Sequence, residues 1–435
     1  MHDIRLLRDQ LDHLREGMRR RGKLAELAPV LDRAEVLERE RRTAITELEA
    51  QQARRNKLTQ DVAQKRKAGE DASSLIAEGR TIGEAIAALE QRRNEAEAAV
   101  QHMLYELPNI TLAEVPEGDE SHNTIMKTWG EPRGDGDTLI PHWEKGAALG
   151  MLDLPRGAKI SGSGFIVYRG VGAKLVRALM NMMLELHTEE HGYDEAWVPL
   201  VVNRASMTGT GQLPKFEDDM YRVPDEDLFL IPTAEVPITN LYRDEILDAS
   251  ALPVGLCGYS ACFRREAGSA GKDTRGLLRV HQFDKVELVR YATAENAREQ
   301  LELLTRHAET VLERLELPYR RVLLAAGDTG FSSAMTYDLE VFAPAVGKWL
   351  EVSSCSLFAD FQARRANIRY RTAPGEKPRF VHTLNGSALA FSRIIASLLE
   401  HHQQADGSVR IPEALQPWLG RAVLRLSLIH ISEPT

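Results

Sequence analysis

The stretch FRREAGSAGKDTRGLLRVHQFDKVELV, residues 263–289, decides how this chain folds. Its two flanks read as strands. Its centre, with Gly268, Gly271 and Gly276, reads as a flexible loop, so the whole predicts a β-hairpin. Alternate residues of a strand share a face. Arg264 and Glu266 then point one way. On the return strand His281, Phe283, Lys285 and Glu287 share one face, and Val280, Val286 and Leu288 take the other. One face packs; the other offers an arginine, two carboxylates and an aromatic ring. That set suits a nucleotide, with a guanidinium for phosphate, a ring to stack on a base and carboxylates for amines. The plainer alternative is an edge hairpin with a solvated charged face, and the pattern alone does not choose between them.

Outward from the hairpin, short strands alternate with loops: YDEAWVPLVV, DLFLIP, GYSACFRRE, LLAAGDTG, YDLEVFAP and KWLEVSSCSLF. Helices are expected over 172–191, 294–315 and 388–403. Hairpin-connected strands with helices to the side predict an antiparallel sheet in an α+β domain. Residues 107–161 read as a loop-rich linker. No GxGxxG or GxxxxGK[ST] occurs, so neither a dinucleotide fingerprint nor a P-loop accounts for nucleotide use.

Further segments carry candidate chemistry. In LNGSALAFSRIIASLLEHH, Asn385-Gly386-Ser387 reads as a turn feeding a helix, with Arg393 on the helix body. A buried arginine there needs a partner, and a polyphosphate would serve; the alternative is a plain helix cap and a surface arginine. In WLEVSSC, Glu351 and Ser354 are oxygen donors suited to a hard cation with waters completing the shell, although a glutamate near serines is more often structural. IPTAEVP puts Thr233 and Glu235 on a proline-bounded loop. Cys257 and Cys262 have no matching second pair, which argues against a zinc site.

The other end of the chain is different in kind. Between Pro29 and Pro108 there is no proline, and the stretch is rich in Ala, Glu, Arg, Leu and Gln. Positions 30, 34, 37, 41, 44, 48, 51, 55, 58 and 62 keep a 4-3 spacing that is mostly apolar, and 82, 86, 89, 93, 96, 100, 103 and 107 resume it. Such a sustained repeat marks a coiled-coil seam. KRKAGEDASS between the halves reads as a helix stop and a helix start, so two antiparallel helices of about 60 Å each are expected. Residues 1–105 hold 20 Lys/Arg and 19 Asp/Glu, but Arg54, Arg55, Lys57, Lys65, Arg66 and Lys67 crowd the tip. That patch reads either as a solvated helix face or as a phosphate-contacting finger.

Composition bounds the rest. The 435 residues are 43% hydrophobic and 27% charged, with a formal charge of −9, which fits a folded multidomain protein and excludes a general nucleic-acid coat. Three cysteines argue against a disulfide framework and fit a reducing, cytoplasmic compartment. The opening MHDIRLLRDQLDH has no uninterrupted apolar stretch, so no secretory signal is expected, and no run of apolar residues is long enough to span a membrane.

The order along the chain is more specific than any one segment. A helix and strand ending at Pro199, then the FRRE–loop–HQF hairpin, then NGS…R on a C-terminal helix resembles the three-motif layout of class II aminoacyl-tRNA synthetases. Together with the helical hairpin and TGTGQLPKFEDDMY, IPTAEVP, EVSSCS and TLNGSALAFSRIIASLLE, the chain resembles the bacterial-type seryl-tRNA synthetase family over roughly residues 1–420. The resemblance implies a tRNA-binding coiled-coil arm over 1–108 and, over 109–420, a class II catalytic domain built on an antiparallel sheet flanked by helices. It implies ATP-dependent activation of L-serine and transfer to tRNA(Ser), with tRNA(Sec) left open as a second acceptor, in a cytoplasmic homodimer without a membrane. Thr233, Ala234, Glu235, Glu287 and Ser387 would surround serine. Arg264 and Arg393 would be catalytic, at the α- and γ-phosphates of ATP. Glu266 and the Val280 backbone would contact adenine, and Phe283 would stack on it. Glu351 and Ser354 would ligate Mg²⁺, with Val352 and Ser353 on the same wall. Arg265 is a weaker ATP contact, because alternation points it away. The six tip residues would meet tRNA. The segment RAVLRLSLIHISEPT, residues 421–435, departs from the family, and disorder or incidental helix is expected there. Two other readings stand beside this one: a synthetase-like ligase that charges a carrier protein, and a coiled-coil interaction protein with a pseudo-enzyme domain.

Overall fold

The computed structural model describes residues 1–267 and 275–425. The chain forms two compact units that part between Ile110 and Thr111. In the first, two short helices, Arg5–Asp9 and Leu11–Arg20, precede two long ones, α1 (Leu24–Ala68) and α2 (Ser73–Glu106). At 1.5 Å per residue α1 is about 67 Å long and α2 about 51 Å. The predicted seam is largely buried: Ala34, Leu37, Ala44, Leu48 and Leu58 on α1, Ile82, Ile86, Ala96 and Val100 on α2. The polar break at Arg41 is met by Glu38, which accepts from its Nε at 2.7 Å. α1 ends as its sequence directs. Gly69 takes a left-handed φ of +73°, and the Glu70 N–H returns to the Lys65 carbonyl at 2.9 Å. Asp71 then accepts from the Ser73 N–H at 2.9 Å and opens α2. Pro29, expected to bracket the helix, lies inside α1, which starts at Leu24; buried Leu27 and Leu31 hold the helix through it.

The second unit is built on an eight-stranded sheet. Its strands are β1 (Thr124–Trp129), β2 (Asp194–Glu195), β3 (Val254–Phe263), β4 (Gln282–Ala292), β5 (Tyr319–Leu323), β6 (Met335–Ala343), β7 (Lys348–Ala359) and β8 (His382–Ala390). Their spatial order is β1-β5-β6-β7-β8-β4-β3-β2, antiparallel throughout except for the short parallel pair β2–β3. Helices α3 (Val171–Glu185), α4 (Ala297–Arg314), α5 (Phe361–Ala366) and α6 (Phe391–His401) flank it. Leu301, Leu304, Ala308, Val311 and Leu312 of α4 are fully buried in one core with Ile394, Ile395 and Leu399 of α6. The expected α+β architecture, a helical arm followed by an antiparallel sheet with flanking helices, is the one observed.

Several local expectations are corrected. Asn385-Gly386-Ser387 is not a turn feeding a helix; it lies inside β8, and the helix begins at Phe391. Gly386 is there for contact: a Cβ would strike Leu304 Cδ2, so its absence lets α4 sit against the sheet. YDEAWVPLVV is two separate short strands, Asp194–Glu195 and Val201–Asn203. LLAAGDTG is mostly loop, because the strand there is Tyr319–Leu323. The supposed linker 107–161 contributes edge strand β1 and the helices His142–Ala148 and Leu154–Ser161. At the far end, Val423–Leu424 is neither disordered nor helical. It pairs antiparallel with Val409–Arg410, and Leu424 is buried, which ties these residues to the unit. The remainder of that segment, 426–435, and the hairpin centre with Gly268 and Gly271 lie outside the described residues.

Candidate active site

The hairpin read first places the site. β3 and β4 pair in register from Val254↔Tyr291 to Phe263↔Gln282, and Arg264 extends the pairing with its N–H on the His281 carbonyl at 2.9 Å. Strand alternation stops there. Glu266 reaches the same side as Arg264 because its φ is +52°, and it ion-pairs with Arg279 across the hairpin base. Arg265 turns away, donating to the Asp218 carbonyl at 3.1 Å, and lines neither cavity.

Two adjoining cavities of about 550 and 200 Å³ share Arg264, Glu266, Glu351 and Ser387. The larger also receives Thr233, Glu235 and Ser354; the smaller receives Val280, Phe283, Val352 and Arg393. The Arg264 guanidinium carbon lies 5.1 Å from the Phe283 ring centroid. Arg393, on the first turn of α6, donates its Nε to the Leu278 carbonyl at 3.1 Å and a second nitrogen to the Glu351 carbonyl. Segments far apart in sequence thus put two arginines on one opening.

The floor of the larger cavity is a network of buried polar side chains. Glu287 is fully buried, so every oxygen it carries needs a partner. Thr233 Oγ1 donates to its Oε2 at 2.9 Å and Asn385 Nδ2 to its Oε1 at 2.9 Å, while Lys285 forms an ion pair with Oε2. Asn385 also reaches Glu235 Oε2 at 3.2 Å, and Gln362 donates to Glu235 Oε1 at 2.7 Å. Burial first, and then the neighbouring Glu287, push the Glu235 carboxyl up to about 7; Gln362, Lys285 and Arg264 pull the other way. A group poised there gains most from a cation, which restores its charge.

Besides Arg265 and the fully buried Glu287, two more predicted residues line neither cavity. Ala234 is fully buried in an apolar cluster with Ile238 and Val289. Ser353 donates to the Ser387 carbonyl at 2.6 Å. Sequence reasoning gave no role to Lys285, Asn385, Gln362 or Arg279. Lys285 had a usable signal, sitting two residues before Glu287 on the same predicted strand face; Asn385 had none while its segment read as a turn. Gln362 had none.

The donor set also bears on a metal. Ser354 lies on the cavity wall with Glu351, whose carboxylate is half-exposed. Across the ladder from Ser354 stands Asp338, 8% exposed, whose Oδ1 has no hydrogen-bond partner among the described residues. Burial, then the charge of Glu351, holds that carboxyl well above the usual range. Among the described residues no group of three His, Cys, Asp or Glu makes a metal cage. Few, hard, all-oxygen donors fit Mg²⁺, which takes one or two carboxylates and fills its shell with waters and substrate phosphates.

Comparisons with known proteins establish the family. Residues 1–111 match the family model for the seryl-tRNA synthetase N-terminal domain, and 215–402 match the tRNA synthetase class II core domain (G, H, P, S and T). A serine–tRNA ligase of Gemmatimonas aurantiaca is 81% identical over 424 residues, 98% of this chain and 100% of that protein. One of Desulfitobacterium hafniense is 51% identical over 97% of this chain and 99% of that one. The crystal structure of seryl-tRNA synthetase from Pyrococcus horikoshii complexed with ATP superposes with a TM-score of 0.94 at 39% identity, covering 98% of this chain and 100% of that one. With a relative 81% identical over 98% of its length, the chain belongs to the class II seryl-tRNA synthetase family.

Proposed function

We propose that this enzyme activates L-serine with ATP and then esterifies tRNA(Ser) with it. The observation that carries the reading is the buried pair Glu235 and Glu287, fixed by Thr233, Asn385, Gln362 and Lys285 beneath Arg264. A small substrate with an ammonium and a hydroxyl satisfies that floor, and its carboxylate then faces Arg264. Alanine would leave buried polar groups unpaired, which is how such a site rejects it. Ser387 lies beside the two carboxylates, and Ala234 supplies backbone under Thr233 and Glu235.

Arg264 and Arg393 hold the phosphates of ATP, and the base enters between Glu266, the Val280 backbone and the Phe283 ring. In the first step the serine carboxylate attacks the α-phosphorus and pyrophosphate leaves. In the second, a terminal ribose hydroxyl of the tRNA attacks the carbonyl of the seryl-adenylate and AMP leaves. Neither step needs a protein nucleophile; positioning and charge stabilisation suffice. Mg²⁺, held by Glu351 and Ser354, would neutralise phosphate charge. The six tip residues of the arm, all exposed, suit contact with RNA phosphates. Trp197, 76% exposed beside exposed Leu200 and Val201, suits a two-fold interface with a second copy. No helix among the described residues is long and apolar enough to cross a membrane. The three buried free cysteines fit a reducing, cytoplasmic compartment.

Serine-dependent ATP–pyrophosphate exchange followed by serine transfer to bulk tRNA tests the proposal. Exchange without transfer to tRNA would turn the reading toward a carrier-protein ligase. Absence of exchange with every amino acid would overturn it.

A further inference from the structure

Gln362 sits on α5, outside both cavities, and is fully buried. Its amide has one consistent orientation. Oε1 accepts from Thr383 Oγ1 at 2.7 Å, while Nε2 donates to Glu235 Oε1 at 2.7 Å and to the Thr210 carbonyl at 3.2 Å. A flipped amide would set its oxygen against a carboxylate and a carbonyl, both acceptors. Thr383 and Asn385 occupy alternate positions of β8 and share a face. The strand therefore grips Glu235 twice: Asn385 holds Oε2 directly, and Thr383 holds Oε1 through the Gln362 amide. Each carboxylate oxygen is pinned by one side-chain amide and keeps acceptor capacity toward the cavity.

We propose that Gln362 is the positioning residue that sets the orientation of the Glu235 carboxylate and, through it, the enzyme's selection of serine. The inference rests on the reading of Glu235 as a serine-binding group. Gln362 touches no substrate. Glu235 opens a short helix, Glu235–Thr239, and does not lie on the loop its sequence suggested. Gln362 acts by holding it against two disturbances, rotation of that side chain and loss of charge. The groups that face Glu235 are Glu287 and Lys285 from β4, Arg264 from the hairpin base, Asn385 from β8 and Gln362 from α5. Of these Glu287 disfavours the charge, and Gln362, Lys285 and Arg264 favour it. Removing the Gln362 donor leaves Glu287 less opposed, so Glu235 keeps its proton to higher pH.

The test uses the full-length enzyme and ATP–pyrophosphate exchange across pH 6–9. Gln362→Met keeps the side chain's length and removes its donor. The expected result is a KM for serine raised about 10- to 100-fold, as for loss of a hydrogen bond to a charged group, with KM for ATP within about twofold. The acidic limb of kcat/KM for serine should move to higher pH, and discrimination against alanine should narrow. A folded Gln362→Met enzyme with an unmoved acidic limb and an unchanged serine KM overturns the proposal. So does a parallel rise in both KM values with no movement of the limb, which marks a merely structural role. If Gln362→Met does not fold, Thr383→Val leaves the amide but removes its anchor; a smaller shift in the same direction supports the proposal, and no shift overturns it. Glu235→Gln separates the two readings. If it leaves serine KM unchanged, the assignment of the site itself fails; if it raises KM while Gln362→Met does not, only the role of Gln362 fails.

Discussion

Arg264 shows how little a functional side chain need contribute to its own fold. It is exposed, rests on the Pro232 carbonyl at 3.3 Å and lies over Phe283. Arg264→Ala is therefore expected to lower kcat for serine-dependent exchange by about 10²–10³-fold, the scale of losing one charge-stabilising donor. Its thermal midpoint should change little; a large fall in midpoint with near-normal exchange would contradict the assignment. Glu235 is the opposite case, buried and pushed up to about 7. As pH falls through 7 it gains a proton and loses the charge that pairs with an ammonium. KM for serine should rise toward pH 6 and level off above pH 8, while KM for ATP stays flatter. Because its carboxyl is raised in the fold, the native state binds more protons than the unfolded chain between pH 4.5 and 7. This group's contribution to stability thus declines as pH rises through that window, and bound serine should restore it. Melting curves with and without serine at pH 6 and pH 8 read this directly.

At the scale of elements, the sheet face away from the cavity is sealed by α4, and the closeness of that seal depends on Gly386. Gly386→Ala would drive a methyl into Leu304 Cδ2 with Cys355 Sγ also at 3.0 Å. A loss of about 1–3 kcal/mol is expected from overpacking, measured by urea denaturation. Serine KM should change as well, since Asn385 and Ser387 flank Gly386 on the other face. Leu304→Ala, in contrast, opens a cavity at a fully buried position and should cost about 2–5 kcal/mol. The two substitutions together should be less damaging than their sum, because the smaller side chain makes room for the new methyl.

At the scale of the whole molecule, the two units are expected to separate the two half-reactions. Replacing Arg54, Arg55, Lys57, Lys65, Arg66 and Lys67 with glutamine should leave serine-dependent exchange intact, raise the KM for tRNA in aminoacylation and flatten its salt dependence. An unchanged salt slope would remove the tip from the tRNA contact. The arm was almost fully legible in the sequence. A coiled-coil seam is a local, periodic signal, and Gly69 and Asp71 marked its turn; only the helix start was misjudged, because packing of Leu27 and Leu31 carries α1 through Pro29. The hairpin was legible too, since residue type and strand parity need no tertiary knowledge, although Glu266 joins the side of Arg264 through its positive φ and not through parity. What the sequence by itself determined was thus which side chains are available and in which elements most of them lie. The tertiary structure alone decided that Asn385-Gly386-Ser387 is strand rather than turn, that Ser353 faces away, and that Gln362 reaches Glu235 from 127 positions along the chain. The reason is physical: burial makes each polar group find a partner wherever the fold brings one, and that choice is made across the core, not along the chain.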